Sequence, residues 1–196
     1  MLQVQNTRKP YTKGLVAVGA NLPSLRGGVR ETIIFALELL ICESVRITAQ
    51  SRFFRTSAFP EGSGPDFTNA VVAVETTLTA PQLLAHLHDV EARTGRTRTE
   101  RWEARVLDLD LLDLGGQVLP DLETYTHWLK LPEDAQQNAA PDQAILPHPR
   151  MQDRGFVLVP LLDIAPDWRH PILGKTARQM VDALPSSALD GIAPLQ

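Results

Sequence analysis

Residues 105–119 read Arg105-Val-Leu-Asp108-Leu-Asp110-Leu-Leu-Asp-Leu114-Gly-Gly-Gln-Val-Leu119. Leucines and carboxylates alternate with the period of two of a half-exposed β-strand, which predicts a strand over Arg105 to Leu114. Gly115-Gly116 suits a tight reversal and predicts Gln117-Val118-Leu119 as a hairpin partner. A strand that turns straight back belongs to an antiparallel or mixed sheet, not to a doubly wound parallel one in which helices carry each crossover.

Upstream, Gly14 to Gly19 is a short apolar run between glycines, as expected of a central strand, with a loop at Ala20 to Ser24. Apolar residues recur at helical spacing over 29–42 (Val29, Ile33, Ala36, Leu37, Leu40), predicting a helix packed on the sheet. The single cysteine, Cys42, ends that run and is expected to be a buried small hydrophobe. Val45, Ile47 and Ala49 alternate with polar neighbours, and the pattern continues through Phe53 as a second strand. Pro60 to Pro65 is dense in turn residues and reads as a mobile loop. A third strand is predicted over Phe67 to Leu78. Thr79-Ala-Pro-Gln82 has the form of a capping box and opens a helix with Leu83, Leu84, Leu87 and Val90 on its inner face, ended by Gly95.

Downstream, residues 120–143 carry Pro120, Pro132 and Pro141 among mixed charges and read as a surface insertion with at most one short helix. Apolar and amphipathic helices are predicted over Phe156 to Ile164 and near Thr176 to Leu184. Strands and helices thus interleave in an α+β arrangement. A length of 196 residues suits one domain, here residues 14–196, with 1–13 as an N-terminal extension.

The composition is that of an ordinary globular protein, 43% hydrophobic and 21% charged, and one cysteine allows no intrachain disulfide. The first twelve residues lack the apolar stretch of a secretory signal, and no apolar run is long enough to span a membrane, so a cytoplasmic protein is expected. A net charge of −4 argues against extended nucleic acid as a partner. Yet 15 of the 19 basic residues are Arg, and five of them (93, 96, 98, 101, 105) lie within thirteen positions. Arginine forks onto phosphate and carboxylate oxygens, so this stretch points to a small, highly charged anion.

The chemistry gathers in the same region. On one strand face, Asp108 and Asp110 have Cα atoms roughly 6.6 Å apart, a span that suits two divalent ions about 3.5–4 Å from each other. A plain solvated strand face is the alternative. Magnesium is commonly held by one or two carboxylates plus substrate phosphates, and Arg96, Arg98, Arg101 and Arg105 stand just upstream to neutralise those phosphates. Trp102 in the basic loop, and Phe67 with Asn69 at i and i+2 of the third strand, suit a planar ligand with hydrogen-bonding edges, or equally a structural role. His148 is presented rigidly between Pro147 and Pro149, followed by Arg150 and Arg154. His86, His88, His127 and His170 have no distinguishing context. No glycine-rich phosphate loop is present.

Taken in order, Val18-Gly19-Ala-Asn21-Leu, Phe54-Arg-Thr56, Pro65-Asp66-Phe67-Thr-Asn69-Ala, Leu83-Leu84 to Glu91, Gly95-Arg96-Thr-Arg98, Arg101-Trp102-Glu-Ala-Arg105-Val-Leu-Asp108-Leu-Asp110 and Leu146-Pro147-His148-Pro149-Arg150 to Arg154-Gly-Phe156-Val-Leu resemble the 6-hydroxymethyl-7,8-dihydropterin pyrophosphokinases. The resemblance implies a ferredoxin-like α+β fold, a mostly antiparallel sheet with helices packed on it in a single three-layer domain. It implies transfer of pyrophosphate from ATP to the pterin alcohol in folate biosynthesis, with two Mg²⁺ ions on Asp108 and Asp110, and Arg96 and Arg105 joining them in catalysis. ATP contacts would fall on Glu91, Arg96, Arg98, Trp102, Arg105, Leu111, His148 and Arg154. The pterin would lie between Phe67 and Phe156, with Asn69, Thr56, Ser57, Phe59, Trp102 and Asp108 around it. A monomer without nucleic acid or membrane partners is expected.

Three positions depart from the family pattern. Ala20 stands where Ser is usual. Glu103-Ala104 replaces Gly-Pro before Arg105, an added negative charge in a phosphate-binding loop. Nothing carries over to 120–143 or to the N-terminal extension. A noncatalytic nucleotide- or pterin-binding relative is therefore the rival reading, and a ferredoxin-like RNA-binding module a weaker one, since it leaves Asp108 and Asp110 unexplained.

Overall fold

The computed structural model describes residues 10–57, 64–95, 106–132, 135, 141 and 143–196. Strand β1 (Thr12–Ala20) is followed by α1 (Val29–Leu40), β2 (Val45–Gln50), β3 (Phe54–Thr56), β4 (Phe67–Thr76), α2 (Ala80–Thr94) and β5 (Asp108–Leu114). Beyond these come α3 (Leu122–Lys130), α4 (Gly155–Ile164), α5 (Ala177–Asp182) and the short strand β6 (Ala193–Pro194). The sheet runs β5-β1-β4-β3-β6, with β2 also paired to β4, and its pairings are all antiparallel. β2 and β3 both pair with β4 on the side away from β1, so the order is that of the ferredoxin-like α+β fold.

Strand alternation divides the core in two. Val16, Val18, Val72, Val74, Leu109 and Leu111 face α1 and α2, where Ile33, Leu37, Leu40, Leu83, Leu87 and Val90 complete one apolar cluster. Leu15, Val71 and Leu112 face the other way, onto Val157, Leu158 and Leu161 of α4, Met180 of α5, and Met151. This makes helices, sheet and helices into three layers. The Thr79 capping box forms as read, and Gly95 closes α2 at φ 102°, a left-handed position that favours glycine.

Several expectations are corrected. β5 is a strand, but Gln117 to Leu119 does not pair with it. Gly115 and Gly116 reverse the chain at φ 65° and 68°, after which Leu119 bridges Leu146. The His148 N–H donates to Leu112 O at 2.8 Å. The open edge of β5 is thus met by the 146–148 segment, and the hairpin partner is displaced. Cys42 is exposed rather than buried, because α1 stops at Leu40 and Cys42 turns into an exchange of backbone hydrogen bonds with Val45.

The second strand does not run on through Phe53. It breaks at Ser51, whose Oγ accepts from Val71 N–H at 3.0 Å in place of a strand carbonyl, while Arg52 forks onto Asp163 of α4. The third strand stops at Thr76 rather than Leu78, β5 begins at Asp108, and Thr12 and Lys13 belong to β1 rather than to an extension. The loop expected at 60–65 lies largely outside the described residues.

The 120–143 insertion does hold a helix, α3, and its anchor is polar. Tyr125 and His170 are both fully buried, with Tyr125 Oη 3.3 Å from His170 Nε2. His170 Nδ1 accepts from the N–H groups of Ile172 and Leu173. Nε2 therefore carries the ring proton and donates it to the phenol. Burial pushes the His170 imidazole down to about 4, which keeps it in this neutral form.

Candidate active site

The β1 register decides what meets on the α4 face. Asp108 of β5 lies opposite Gly19 of β1, and Gly19 lies opposite Asn69 of β4, so the three share one rung of the sheet. The next rung is Asp110, Ala17 and Val71. Leu109 and Leu111 point into the α1/α2 core and Val71 into the α4 core. Alternation then turns Asp108, Asp110 and Asn69 to the α4 side. Neighbouring strands lie about 4.8 Å apart, which puts the Asp108 and Asn69 backbones roughly 10 Å from each other. Gly19, without a side chain, is the floor between them. A Cβ there would sit 2.8 Å from Asn69 Oδ1.

Asn69 is buried, and its Nδ2 donates to Thr56 Oγ1 at 2.7 Å. Thr56 in turn pairs with Phe67 across β3 and β4, so Asn69, Thr56 and Phe67 form one rigid patch, with Phe67 half-buried and Ser57 exposed at its margin. On the facing layer, the helix start at Gly155 aims its neighbours at the carboxylates. Arg154 reaches Asp110 Oδ2 at 3.4 Å, and its guanidinium stands 5.6 Å from the centre of the exposed Phe156 ring. His148 Nδ1 accepts the Arg150 N–H at 3.1 Å, leaving the proton on Nε2. Burial, with Arg154 beside it and against the opposing pull of Asp108, pushes this imidazole down to about 3. His148 is thus a neutral donor at ordinary pH.

Asp108 and Asp110 are partly exposed hard oxygen donors beside a cationic arginine, a set that suits a phosphate-bound magnesium more than a site enclosed by protein ligands. Among the described residues no three His, Cys, Asp or Glu side chains gather as a metal cage, so the remaining ligands would come from substrate phosphates and water.

Two further expected residues are placed differently. Glu91 is buried in α2, where its Oε1 accepts the Leu109 N–H at 2.8 Å and so fixes the start of β5 directly beneath the carboxylates. The Leu111 side chain is packed in the α1/α2 core, away from the Asp108–Asp110 face, which removes it from the side chains brought to the site. Phe59, Arg96, Arg98, Arg101, Trp102 and Arg105 lie outside the described residues. Gly19 was not singled out as a site residue by motif reading. Its place in the Val18-Gly19-Ala-Asn21 motif at the end of a central strand becomes informative once register sets it between Asp108 and Asn69.

Residues 15–166 match the family model described as 7,8-dihydro-6-hydroxymethylpterin-pyrophosphokinase. A Synechocystis protein named 2-amino-4-hydroxy-6-hydroxymethyldihydropteridine pyrophosphokinase is 34% identical over 90% of this chain and 76% of its own. A Pseudomonas aeruginosa protein of the same name is 34% identical over 92% of this chain and 94% of its own. Among solved structures, wild-type HPPK-DHPS of Plasmodium falciparum superposes with a TM-score of 0.60 at 15% identity, over 90% of this chain. The chain spans 45% of that structure's length, and the likeness bears on the fold.

Proposed function

The chain belongs to the 7,8-dihydro-6-hydroxymethylpterin-pyrophosphokinase family, and from that membership we infer how its own residues divide the work. The protein is an ATP-dependent diphosphokinase that transfers pyrophosphate from ATP to 6-hydroxymethyl-7,8-dihydropterin in folate biosynthesis, and it uses Mg²⁺. The observation that carries the assignment of roles is the shared rung. It supports the reading because Asp108, a carboxylate suited to a metal-bound triphosphate, and Asn69, an amide suited to a heterocycle, stand on one face about 10 Å apart with a bare glycine between them.

In the proposed arrangement Asp108 and Asp110 hold two Mg²⁺ ions, which neutralise and orient the phosphates when bound. Arg154 and the His148 Nε2–H stand beside them to meet phosphate oxygens, with Arg96, Arg98 and Arg105 supplied by the preceding loop. Phe67 and Phe156 flank the pterin, while Asn69 reads its edge beside Thr56, Ser57 and Phe59. Trp102 is assigned to both ATP and the pterin. The hydroxymethyl oxygen attacks the β-phosphorus, the bond to the α-phosphate oxygen breaks, AMP leaves and the hydroxyl proton is released. Little covalent work falls to the protein, and positioning with charge neutralisation carries the step.

We further propose a single catalytic domain from Thr12, where β1 begins, to 196, that acts as a cytoplasmic monomer, without a nucleic-acid partner. No helix among the described residues is long and apolar enough to cross a membrane. Incubation with ATP, Mg²⁺ and the hydroxymethyl-dihydropterin should release AMP only when the pterin is present. ADP release, or no turnover, would overturn the assignment and favour a noncatalytic binding protein in the second case.

A further inference from the structure

The C-terminal residues 186–196 touch both walls assigned to the pterin. Ala193 and Pro194 pair with Arg55 and Phe54 of β3, and the Leu195 N–H donates to Phe53 O at 2.8 Å. Gly191 turns at φ 73°, so close to Ser57 that a Cβ would lie 2.8 Å from its Oγ. On the other side, the same segment lies against the first residue of α4. A Cβ on Gly155 would come within 2.0 Å of Ala188 O and 3.0 Å of Ile192 Cδ1. Gly155 is buried and stands between Arg154 and Phe156.

We propose that residues 186–196 are a positioning strap for the pterin. By clamping Thr56-Ser57 of one wall to Gly155-Phe156 of the other, the strap sets the width of the slot into which the heterocycle slides. This rests on the assignment of Phe156, Asn69 and Thr56 to the pterin made above. Two features support a set width. The contact to α4 is backbone against a residue without a side chain, which leaves no rotamer to absorb a shift. The contact to β3 is a strand pairing, whose spacing is fixed. On the ATP side, Asp108 and Asp110 are held through β1 and by Arg154.

Removal of residues 193–196, and separately Gly155→Ala, should raise KM for the dihydropterin about tenfold, as expected for a misplacement of ångström scale. In the 193–196 deletion KM for ATP should stay within about twofold, since the pairings it removes are to β3 and Phe53; Gly155→Ala, next to Arg154, is expected to move both constants. Far-ultraviolet circular dichroism identifies the folded variants, and the four-residue deletion leaves the α4 seat untouched should Gly155→Ala fail to fold. Equal changes in both constants for the 193–196 deletion, or no change in the pterin KM of either variant, would overturn the strap. Asn69→Ala and Phe156→Ala serve as controls. If they raise the pterin KM while the strap variants do not, the strap alone fails; if they leave it unchanged, the pterin wall itself is misassigned and the strap falls with it.

Discussion

The two faces of the sheet are made by the same strands and do different jobs. Toward α1 and α2, the side chains of β1, β4 and β5 are Val16, Val18, Val72, Val74, Leu109 and Leu111, a closed apolar layer. Toward α4, the residues one step along are Ala17, Gly19, Asn69, Asp108 and Asp110, small or polar. That face becomes apolar at Val71, on the Asp110 rung, and beyond it at Leu15 and Leu112. One face is filled to hold the fold and the other is left open at one end to hold ligands. Their difference is a matter of one residue of register, since a slip by one would exchange them completely.

If that division is correct, the two faces respond oppositely to substitution. The largest effect should come from the open one. Asp108→Ala combined with Asp110→Ala should lower kcat/KM by at least about a thousandfold, roughly 4 kcal/mol of transition-state stabilisation. The melting temperature should stay near that of the parent, because two partly exposed like charges contribute little to the fold. An active double variant would break the two-metal assignment. The second effect belongs to the filled face. Leu87, fully buried in α2, should cost about 3 kcal/mol when cut to alanine. In a chain of this size that corresponds to a melting point lower by roughly 6–12 °C. Both KM values of the folded fraction should be those of the parent, and a tenfold change in either would show that the faces are coupled.

How far the sequence displayed this division depends on the element. Leu107 to Leu111 alternate so regularly that the two aspartates fall on one face by periodicity alone, and the structure agrees. The Thr79 capping box and the Gly95 stop are local signals and were equally readable. What was hidden required long-range pairing. Gly115-Gly116 does reverse the chain, but nothing near Gln117 shows that the edge of β5 is met by His148, some thirty residues on. Cys42 looks like a continuation of an apolar helix until the turn with Val45 ends α1 two residues earlier. His170 had no distinguishing context because its partner, Tyr125, is 45 residues away. For the site itself, residue types were legible and neighbours were not. Asp108, Asn69 and Phe156 stand out by kind, whereas Gly19 acquires a role only from what pairs on either side of it.

Two glycines of β1 allow the finest test of the comparison. Gly14 and Gly19 lie five residues apart and so face opposite sides of the sheet, with neither at a positive φ. A Cβ on Gly14 would stand 3.0 Å from Asp113 O, 3.1 Å from Leu114 Cδ1 and 3.3 Å from Val74 Cγ2, all within the filled layer. Gly14→Ala should therefore cost about 1 kcal/mol or more by overpacking and leave both KM values alone. On the open side a Cβ on Gly19 meets one atom closely, Asn69 Oδ1. Asn69 has little room to retreat, being buried and tied to Thr56. The new methyl also stands on the floor between amide and carboxylates. The backbone itself gains from losing glycine's freedom in the unfolded chain, by about 0.4–1 kcal/mol. Displacing Asn69 from Thr56 outweighs that gain, so Gly19→Ala is expected to melt slightly below the parent while its pterin KM rises about tenfold, worth roughly 1.4 kcal/mol. Steady-state kinetics and a thermal melt on each variant decide the matter. If Gly19→Ala lost stability and kept its pterin KM, the end of β1 would be part of the packed core, and the open face would begin beyond it.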